Sequence, residues 1–126
     1  MSSKKEDSVG LEEVRNALQS TNEIELTVTG RTSGHESSRP VWFVQESETL
    51  FLLPVNGSDS NWYKNVLKTP TIGLAADGAE LRTNAKPVED AAAVGDVVER
   101  FRDKYGADRV AAYYPKLDAA VEVPLA

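Results

Sequence analysis

Hydrophobic and polar residues alternate along much of this chain, which is the pattern of half-buried β-strands. The alternation is clearest between Glu23 and Thr29, where Ile24, Leu26 and Val28 are separated by glutamates and threonines. Similar patterns, or short runs of apolar residues, predict further strands at residues 39–45, 50–55, 71–76, 79–88 and 121–125.

Glycine and proline residues indicate how these strands turn and where they lie. Asp77-Gly78, between two predicted strands, is a strong signal for a tight hairpin. Gly73 inside a strand suggests a bulge or a close approach of backbone. Pro124 has no backbone N–H to donate, so the last strand is expected at an edge of the sheet.

Apolar residues recur at helical spacing in the remaining segments. Helices are predicted at residues 10–20, from Ser60 to Thr69, and from the cap Asp90 to Gly106, with one or two further turns at 108–114. Few long crossovers are needed to connect the strands. The order therefore predicts a mainly β protein with α-helices (α+β), a small antiparallel barrel with helices on its rim.

Composition limits the classes of partner and site. The net charge is −6 and the pI is about 4.8, which disfavours nucleic acid and anionic membranes as partners. The chain has no cysteine and one histidine, which excludes disulfides, thiolate catalysis and a two-histidine metal site within one chain. No apolar run approaches a membrane span, and residues 1–9 are expected to be a disordered polar tail rather than a signal peptide, so a cytoplasmic location is expected. Residues 10–126 are expected to form one domain.

The stretch from Leu50 to Asn65 combines a buried strand, a polar turn and the start of a helix. The turn Asn56–Ser60 supplies a glycine and three good capping residues, and the N-terminus of a helix attracts phosphate or carboxylate. A strand-to-helix connection with ordinary caps is the alternative.

A second polar loop, Gly30–Gly34, could form an anion-binding nest, although a flexible hairpin loop is the simpler interpretation. Its neighbour Arg39 begins the strand that is expected to pair with the Leu50 strand. One end of that strand pair could then bring Arg31, Arg39, Asn56 and Ser58 together.

Single residues add little chemistry. His35 is expected to be an exposed surface histidine, and Trp42 a core residue. Trp62 is either core or pocket wall, and Tyr113-Tyr114 either cover a pocket or anchor the last strand. Because no nucleophile–base pair is evident, any enzymatic chemistry is expected to come from a bound cofactor.

The chain resembles a known family in two motifs. Residues 26–34 (LTVTGRTSG), followed by Pro40-Val41 and by residues 62–65 (WYKN), resemble the deazaflavin-dependent nitroreductases of the pyridoxamine-phosphate-oxidase-like split barrels. Residues 55–63 and Lys104-Tyr105-Gly106 resemble a set of small bacterial proteins in the same superfamily. The resemblance covers residues 11–125 and implies a six-stranded antiparallel split β-barrel of the FMN-binding type.

The resemblance also implies a site. FMN or a deazaflavin coenzyme (F-420 type) would lie in a groove of a homodimer, with its phosphate near Arg31, Ser33 and Arg39. The ring system would lie along the strand that ends at Val55 and beside the following turn and helix. The other candidate cofactor-binding residues are Asn56, Gly57, Ser58, Ser60, Trp62 and Lys64.

Two departures from the nitroreductase pattern leave the cofactor open. Thr32 stands where those proteins usually carry a lysine, and Ser37 and Ser38 stand near their basic residues. The implied function is an oxidoreductase that passes a hydride between flavin or deazaflavin and a small quinone or nitroaromatic acceptor. The alternatives are a non-catalytic flavin- or haem-binding module and an oligonucleotide-binding barrel, which the negative charge disfavours.

A homodimer is also expected from the residues themselves. Val41–Val44 and Leu50–Leu53 are continuous apolar runs, so both faces of two strands need cover. The barrel interior would cover one face and a partner subunit part of the other.

Overall fold

The computed structural model describes residues 13–19 and 21–125. The predicted tail at 1–9 and the start of the predicted helix at 10–20 lie outside the described residues, and residues 13–18 are helical (α1). The further helices are α2 (Asn61–Lys68), α3 (Ala91–Tyr105) and α4 (Ala107–Tyr113), with a 3₁₀ turn at Gly57–Asp59. The strands are β1 (Glu23–Thr29), β2 (Glu36–Glu46), β3 (Thr49–Leu52), β4 (Thr71–Ala76), β5 (Ala79–Asn84), β6 (Lys86–Val88) and β7 (Ala120–Pro124).

The strands form one antiparallel sheet in the order β5-β4-β1-β2-β3-β7-β6. The expected strand at 79–88 is divided at Ala85, which gives seven strands where six were predicted. Its first half pairs with β4 and its second half with β7, at opposite ends of the strand order. A single segment therefore joins both ends of the sheet, which curls into a split barrel, and the predicted α+β split-barrel class is confirmed.

Two apolar clusters share the buried residues. The first fills the barrel, where Ile24, Leu26 and Val28 of β1 meet Trp62, Tyr63 and Val66 of α2, among others. The second lies on the other face of the sheet, under α3 and α4, and includes Val44, Phe51, Leu53, Phe101 and Tyr114. The second face of β2 and β3 is thus covered by the chain's own helices, so the apolar runs in these strands do not require a partner subunit.

Two predictions that rest on glycine residues are tested by the structure. Asp77 and Gly78 have φ values of 51° and 84° and connect the paired residues Ala76 and Ala79, which confirms the tight hairpin. Gly73 marks a close approach, because a Cβ there would lie 3.3 Å from the Cβ of Thr27.

The edge position predicted for the last strand is wrong. β7 pairs with β3 on one side and with β6 on the other. Pro124 is tolerated because it lies beyond the last residue that pairs with β6, and its ladder partner is Thr49 of β3.

The long helix α3 follows its sequence signals. The Asp90 side chain accepts a hydrogen bond from the Ala93 N–H at 3.0 Å, as expected of an N-cap, and Gly106 ends the helix with φ of 98°. None of the helices in the described part of the chain is long and apolar enough to cross a membrane.

Candidate functional site: an aromatic cleft

A cleft of about 240 Å³ opens between β2, the segment after β3, α2 and the end of α4. We call it the aromatic cleft. It is lined by Arg39, Pro40, Val41, Trp42, Leu53, Val55, Trp62, Tyr113 and Tyr114. Arg39 is the single charged residue among these lining residues, so the cleft combines aromatic and aliphatic walls with one cation.

Stacked rings build one wall of the cleft. The ring of Trp42 lies between Tyr105, at a centroid distance of 4.4 Å, and Tyr113, at 4.6 Å. Tyr114 meets Trp42 edge to face at 6.0 Å and also contacts Phe101. Each ring contact of this type adds about 0.5–1.5 kcal/mol beyond the burial of area, so the wall is held by its own packing.

Tyr105 fixes the inner end of this stack. Its hydroxyl lies 2.7 and 2.9 Å from the carbonyls of Phe43 and Asn22, which share its one donor hydrogen, and it accepts from the Phe43 N–H at 3.1 Å. Burial raises the pKa of Tyr105 to about 12 and also raises the pKa of Tyr114. Both hydroxyls are therefore neutral at physiological pH, and neither is suited to accept a proton in catalysis.

Lys104 completes the support of β2 from α3. Its ammonium donates to the Phe43 carbonyl at 2.8 Å and lies 3.8 Å from the centroid of the Phe43 ring. Burial lowers the pKa of Lys104. The Lys104-Tyr105 pair, conspicuous in the sequence, thus anchors the strand that carries Trp42 and does not itself line the cleft.

The polar turn before α2 is already bound to an anion, and that anion is a side chain of the same molecule. Asp118 accepts hydrogen bonds from the Ser58 N–H at 2.8 Å and from the Ser58 hydroxyl at 2.6 Å. These bonds lower the pKa of the Asp118 carboxyl. The Asn56 N–H donates to the Ser60 hydroxyl at 2.8 Å, so three donor groups of this turn are satisfied internally.

The Gly30–Gly34 loop is likewise closed upon itself. The Gly30 N–H donates to the His35 carbonyl at 2.8 Å, and the Gly34 N–H donates to the Gly30 carbonyl at 3.0 Å. The His35 N–H donates to the Ser33 hydroxyl at 3.1 Å. His35 is exposed, as expected.

Arg31 ties this loop to α2. Its guanidinium donates to the Asn65 side chain at 2.8 Å and to the Asn61 carbonyl at 3.3 Å, while its N–H donates to Asn65 at 3.0 Å. Lys68 donates to the Arg31 carbonyl at 3.1 Å. With exposed Lys64, these residues place positive charge along α2.

The structure separates the predicted site residues into groups. Arg39, Val55 and Trp62 line the aromatic cleft together. The residues between Val55 and Trp62 form the turn that leads into α2, namely Asn56, Gly57, Ser58 and Ser60. Outside the set of lining residues lie Arg31, Ser33 and Lys64.

Sequence reasoning missed several walls of the cleft. Trp42 was expected in the core, but it is half-buried and lines the cleft. Trp62 was expected either in the core or in a pocket wall, and it belongs to both. It is 3% exposed in the barrel core and it lines the cleft. Beyond the named candidates Arg39, Val55 and Trp62, the Tyr113-Tyr114 pair was considered as a pocket cover, and both tyrosines line the cleft. The contact of Asp118 with Ser58 had no signal in the sequence, because a lone aspartate before a strand follows no pattern that predicts a partner at residue 58.

Comparison with known proteins begins with the sequence. The profile of a protein family described as "Uncharacterized protein conserved in bacteria (DUF2255)" matches residues 14–122. No curated protein sequence matches the chain.

Solved structures of similar fold include three of different description. A reductase dependent on F-420-H2 (FDR-A) is 22% identical with a TM-score of 0.64, over 81% of this chain and 93% of that one. A protein solved as a domain-swapped dimer is 21% identical with a TM-score of 0.63, over 94% and 98%. HutZ, the haem storage protein of Vibrio cholerae, is 15% identical with a TM-score of 0.67, over 90% and 87%. They confirm the split-barrel fold predicted from the sequence.

Proposed function

The chain belongs to the DUF2255 family of bacterial proteins, and from its split-barrel fold and aromatic cleft we propose that it binds a flavin or deazaflavin cofactor. The observation that carries the proposal is the cleft itself, in which Trp42, Tyr113 and Trp62 surround a space with Arg39 as its single charged lining residue. A similar structure is that of a reductase dependent on F-420-H2, which supports this class of cofactor.

The residues present fit such a group in chemistry. Aromatic and aliphatic walls suit a flat ring system, because such walls favour stacking and exclude water. A guanidinium binds phosphate through charge-assisted hydrogen bonds, so Arg39 is the residue we assign to the cofactor phosphate. Arg31, Lys64 and Lys68 add positive charge along α2, where the longer anionic tail of a deazaflavin coenzyme would need it.

The volume of the cleft limits the size of the ligand that it can enclose. Ligand sites usually enclose about 300–1,000 Å³, and the aromatic cleft has about 240 Å³. A flavin ring system therefore requires the cleft to widen, or a second subunit to extend it, before the ring is enclosed.

A bound flavin or deazaflavin supplies hydride transfer. The chain's own residues bind and orient it: the aromatic walls hold the ring, Arg39 holds the phosphate, and the apolar lining keeps water from the reacting edge. We propose a small quinone or nitroaromatic compound as the acceptor. No lining residue is a carboxylate, histidine or lysine, so any proton needed by the acceptor comes from solvent or from the Tyr113 hydroxyl.

A homodimer is part of the proposal. Residues 36–40 of β2 are exposed on both faces of the sheet, and two of them, Arg39 and Pro40, line the cleft. A second copy that covered this segment would also extend the cleft. One protein of similar fold was solved as a domain-swapped dimer, which supports this arrangement.

A non-catalytic binding module is the second candidate, favoured by the absence of acid or base side chains among the lining residues. Haem is the less suitable ligand for such a module, although the similar HutZ is a haem storage protein. Haem iron takes histidine, cysteine, methionine or tyrosine as its protein ligand. Tyr113 and Tyr114 are the lining residues of this kind, and burial raises the pKa of Tyr114 away from the phenolate form.

Purification and turnover separate the two candidates. The purified protein is tested for flavin colour, and then mixed with reduced FMN or reduced deazaflavin coenzyme and a quinone or nitroaromatic acceptor. Oxidation of the cofactor that requires the protein supports the oxidoreductase. Tight binding without oxidation supports the module, and no binding of either cofactor contradicts both.

A further inference from the structure

Two segments on either side of the aromatic cleft are tied together by charged side chains. The turn Gly57–Asp59 follows Val55 and precedes Trp62, and both of these residues line the cleft. The segment 115–119 follows Tyr113 and Tyr114, which line the opposite wall. We call the contacts between the turn and this segment the clasp.

The clasp consists of three polar contacts. Asp118 accepts from the N–H and the hydroxyl of Ser58, at 2.8 and 2.6 Å. Lys116 donates to Asp59 at 2.8 Å. Gly57 allows the close fit: its φ is 56°, and a Cβ added there would overlap the Asp118 carboxylate and crowd Lys116.

Little else in the backbone holds this segment. Within the described residues, no backbone-to-backbone hydrogen bond reaches residues 115–118, which lie between the end of α4 and the start of β7. Lys116 and Asp118 are exposed, and Leu117 packs partly against the second apolar cluster. Ala119 is buried in the first cluster, so the loosely held part is residues 115–118. Segments with few backbone hydrogen bonds and few buried contacts are those that open locally.

We propose that the clasp is a gate on the aromatic cleft. While Asp118 holds Ser58, the walls carrying Val55 and Tyr113 stay together and the cleft keeps a volume below that of usual ligand sites. Release of Asp118 frees residues 115–118, so that the exposed ring of Tyr113 moves outward while Tyr114 stays packed against Phe101, and a flat ring can enter. The proposed function enters this proposal only in the identity of the ring; the gate itself is argued from the contacts of the clasp.

Limited proteolysis tests the gate without any ligand. The Lys116–Leu117 bond lies within the clasp and is a trypsin site, whereas the Lys64–Asn65 bond lies in α2 and reports opening of the whole fold. Asp118→Asn should raise cleavage at Lys116 by about tenfold or more, because the populated open form grows when hydrogen bonds to a charged group are lost. Cleavage at Lys64 should not change.

Controls separate the gate from general loss of stability. Asp96→Asn removes the same charge from an exposed position on α3 and should leave both cleavage rates unchanged. Ser58→Ala removes the partner of Asp118 from the other side and should reproduce the effect of Asp118→Asn. Equal acceleration at Lys116 and Lys64, or no acceleration at Lys116, would overturn the proposal.

Quenching of tryptophan fluorescence by acrylamide gives a second readout on the cleft itself. Both tryptophans line it, so Asp118→Asn should make them more accessible to acrylamide. With FMN as the probe, the variant should also bind and release the ligand several-fold faster than the parent protein. If FMN binds neither protein, the proposed function fails while proteolysis and quenching still decide the gate.

Discussion

Two arginines that looked alike in the sequence occupy different positions in the structure. Arg31 is held by Asn65 and Asn61 of α2, and its contacts are part of the fold. Arg39 is exposed and lines the aromatic cleft. The two residues should therefore respond differently to the same substitution.

We predict that Arg39→Ala weakens FMN binding by about 1.5–3 kcal/mol, the range for a hydrogen bond to a charged group, and leaves the melting temperature of the ligand-free protein nearly unchanged. Arg31→Ala is the matched comparison and should lower the melting temperature. Calorimetric titration and thermal unfolding measure the two effects. A loss of stability in Arg39→Ala would make this residue structural and its assignment to the phosphate wrong.

Gly57 and Gly78 give a second contrast between single residues. Both have positive φ, at 56° and 84°, but a side chain at Gly57 meets Asp118 and one at Gly78 meets open space. An alanine in such a conformation costs about 1–3 kcal/mol. Gly57→Ala should lose more stability in urea unfolding than Gly78→Ala, because it also disrupts the clasp, and equal losses would contradict this.

At the residue scale, the sequence predicted the kinds of side chain better than their partners. The turn at 56–60 was interpreted either as an anion-binding segment or as an ordinary capped connection, and a carboxylate of the same chain occupies the Ser58 donors. That carboxylate is Asp118, 60 residues further along the chain. Contacts over such a distance depend on the packing of β7 and α4, which no local pattern encodes.

At the element scale, Gly95 is a weak point in the middle of α3. It is exposed, and a Cβ added there would meet no atom within 4 Å. Because glycine loses more backbone entropy in a helix than alanine, Gly95→Ala should stabilise the protein by about 0.5–1 kcal/mol. Urea unfolding should show a higher midpoint, and an unchanged or lower midpoint would indicate a constraint on this helix that its packing does not reveal.

Strands and helices were largely predictable because their signals are local. Asp90, Gly106 and the Asp77-Gly78 turn were each identified from neighbouring residues, and each has the predicted role. Pairing was less predictable. The segment 79–88 divides at Ala85 because its halves pair with different strands. The hydrophobic pattern predicts that a segment is a strand, but it does not predict which other strand it pairs with.

At the scale of the whole molecule, the surfaces that the chain leaves uncovered bear on its oligomeric state. The apolar second face of β2 and β3, which first suggested a dimer, is covered by α3 and α4 of the same chain. The exposed segment at 36–40 is the feature of this chain that now leads us to expect one.

We predict a homodimer in light scattering at micromolar concentration. Arg39 and Pro40 lie within the exposed segment and line the cleft, so dimer formation and cofactor binding should strengthen each other. Raising the protein concentration should then tighten the apparent affinity for FMN. A monomer whose cofactor affinity is independent of concentration would show that one chain forms the whole site.

The split-barrel class could be predicted for the whole molecule because the strand order and the short motifs both indicate this fold. The walls of the cleft could not, since Trp42, Val55 and Tyr113 come from three separate segments that meet only after folding. The identity of the cofactor could not be predicted either, because it depends on how many positive charges surround the phosphate. The net charge of −6 has to be offset by local cations for a ligand with a long anionic tail.

Titration of the protein with FMN and with deazaflavin coenzyme, followed by tryptophan fluorescence, tests the central claim most directly. Trp42 and Trp62 are the two tryptophans of the chain and both line the cleft, so a ring bound there quenches their emission. We predict saturable quenching by both cofactors, with FMN binding at least as tightly and the deazaflavin coenzyme losing more affinity as salt is added. Absence of saturable quenching by either cofactor would contradict a cofactor site in the aromatic cleft. Tight, salt-insensitive binding of deazaflavin coenzyme with none of FMN would contradict the assignment of its charged contacts.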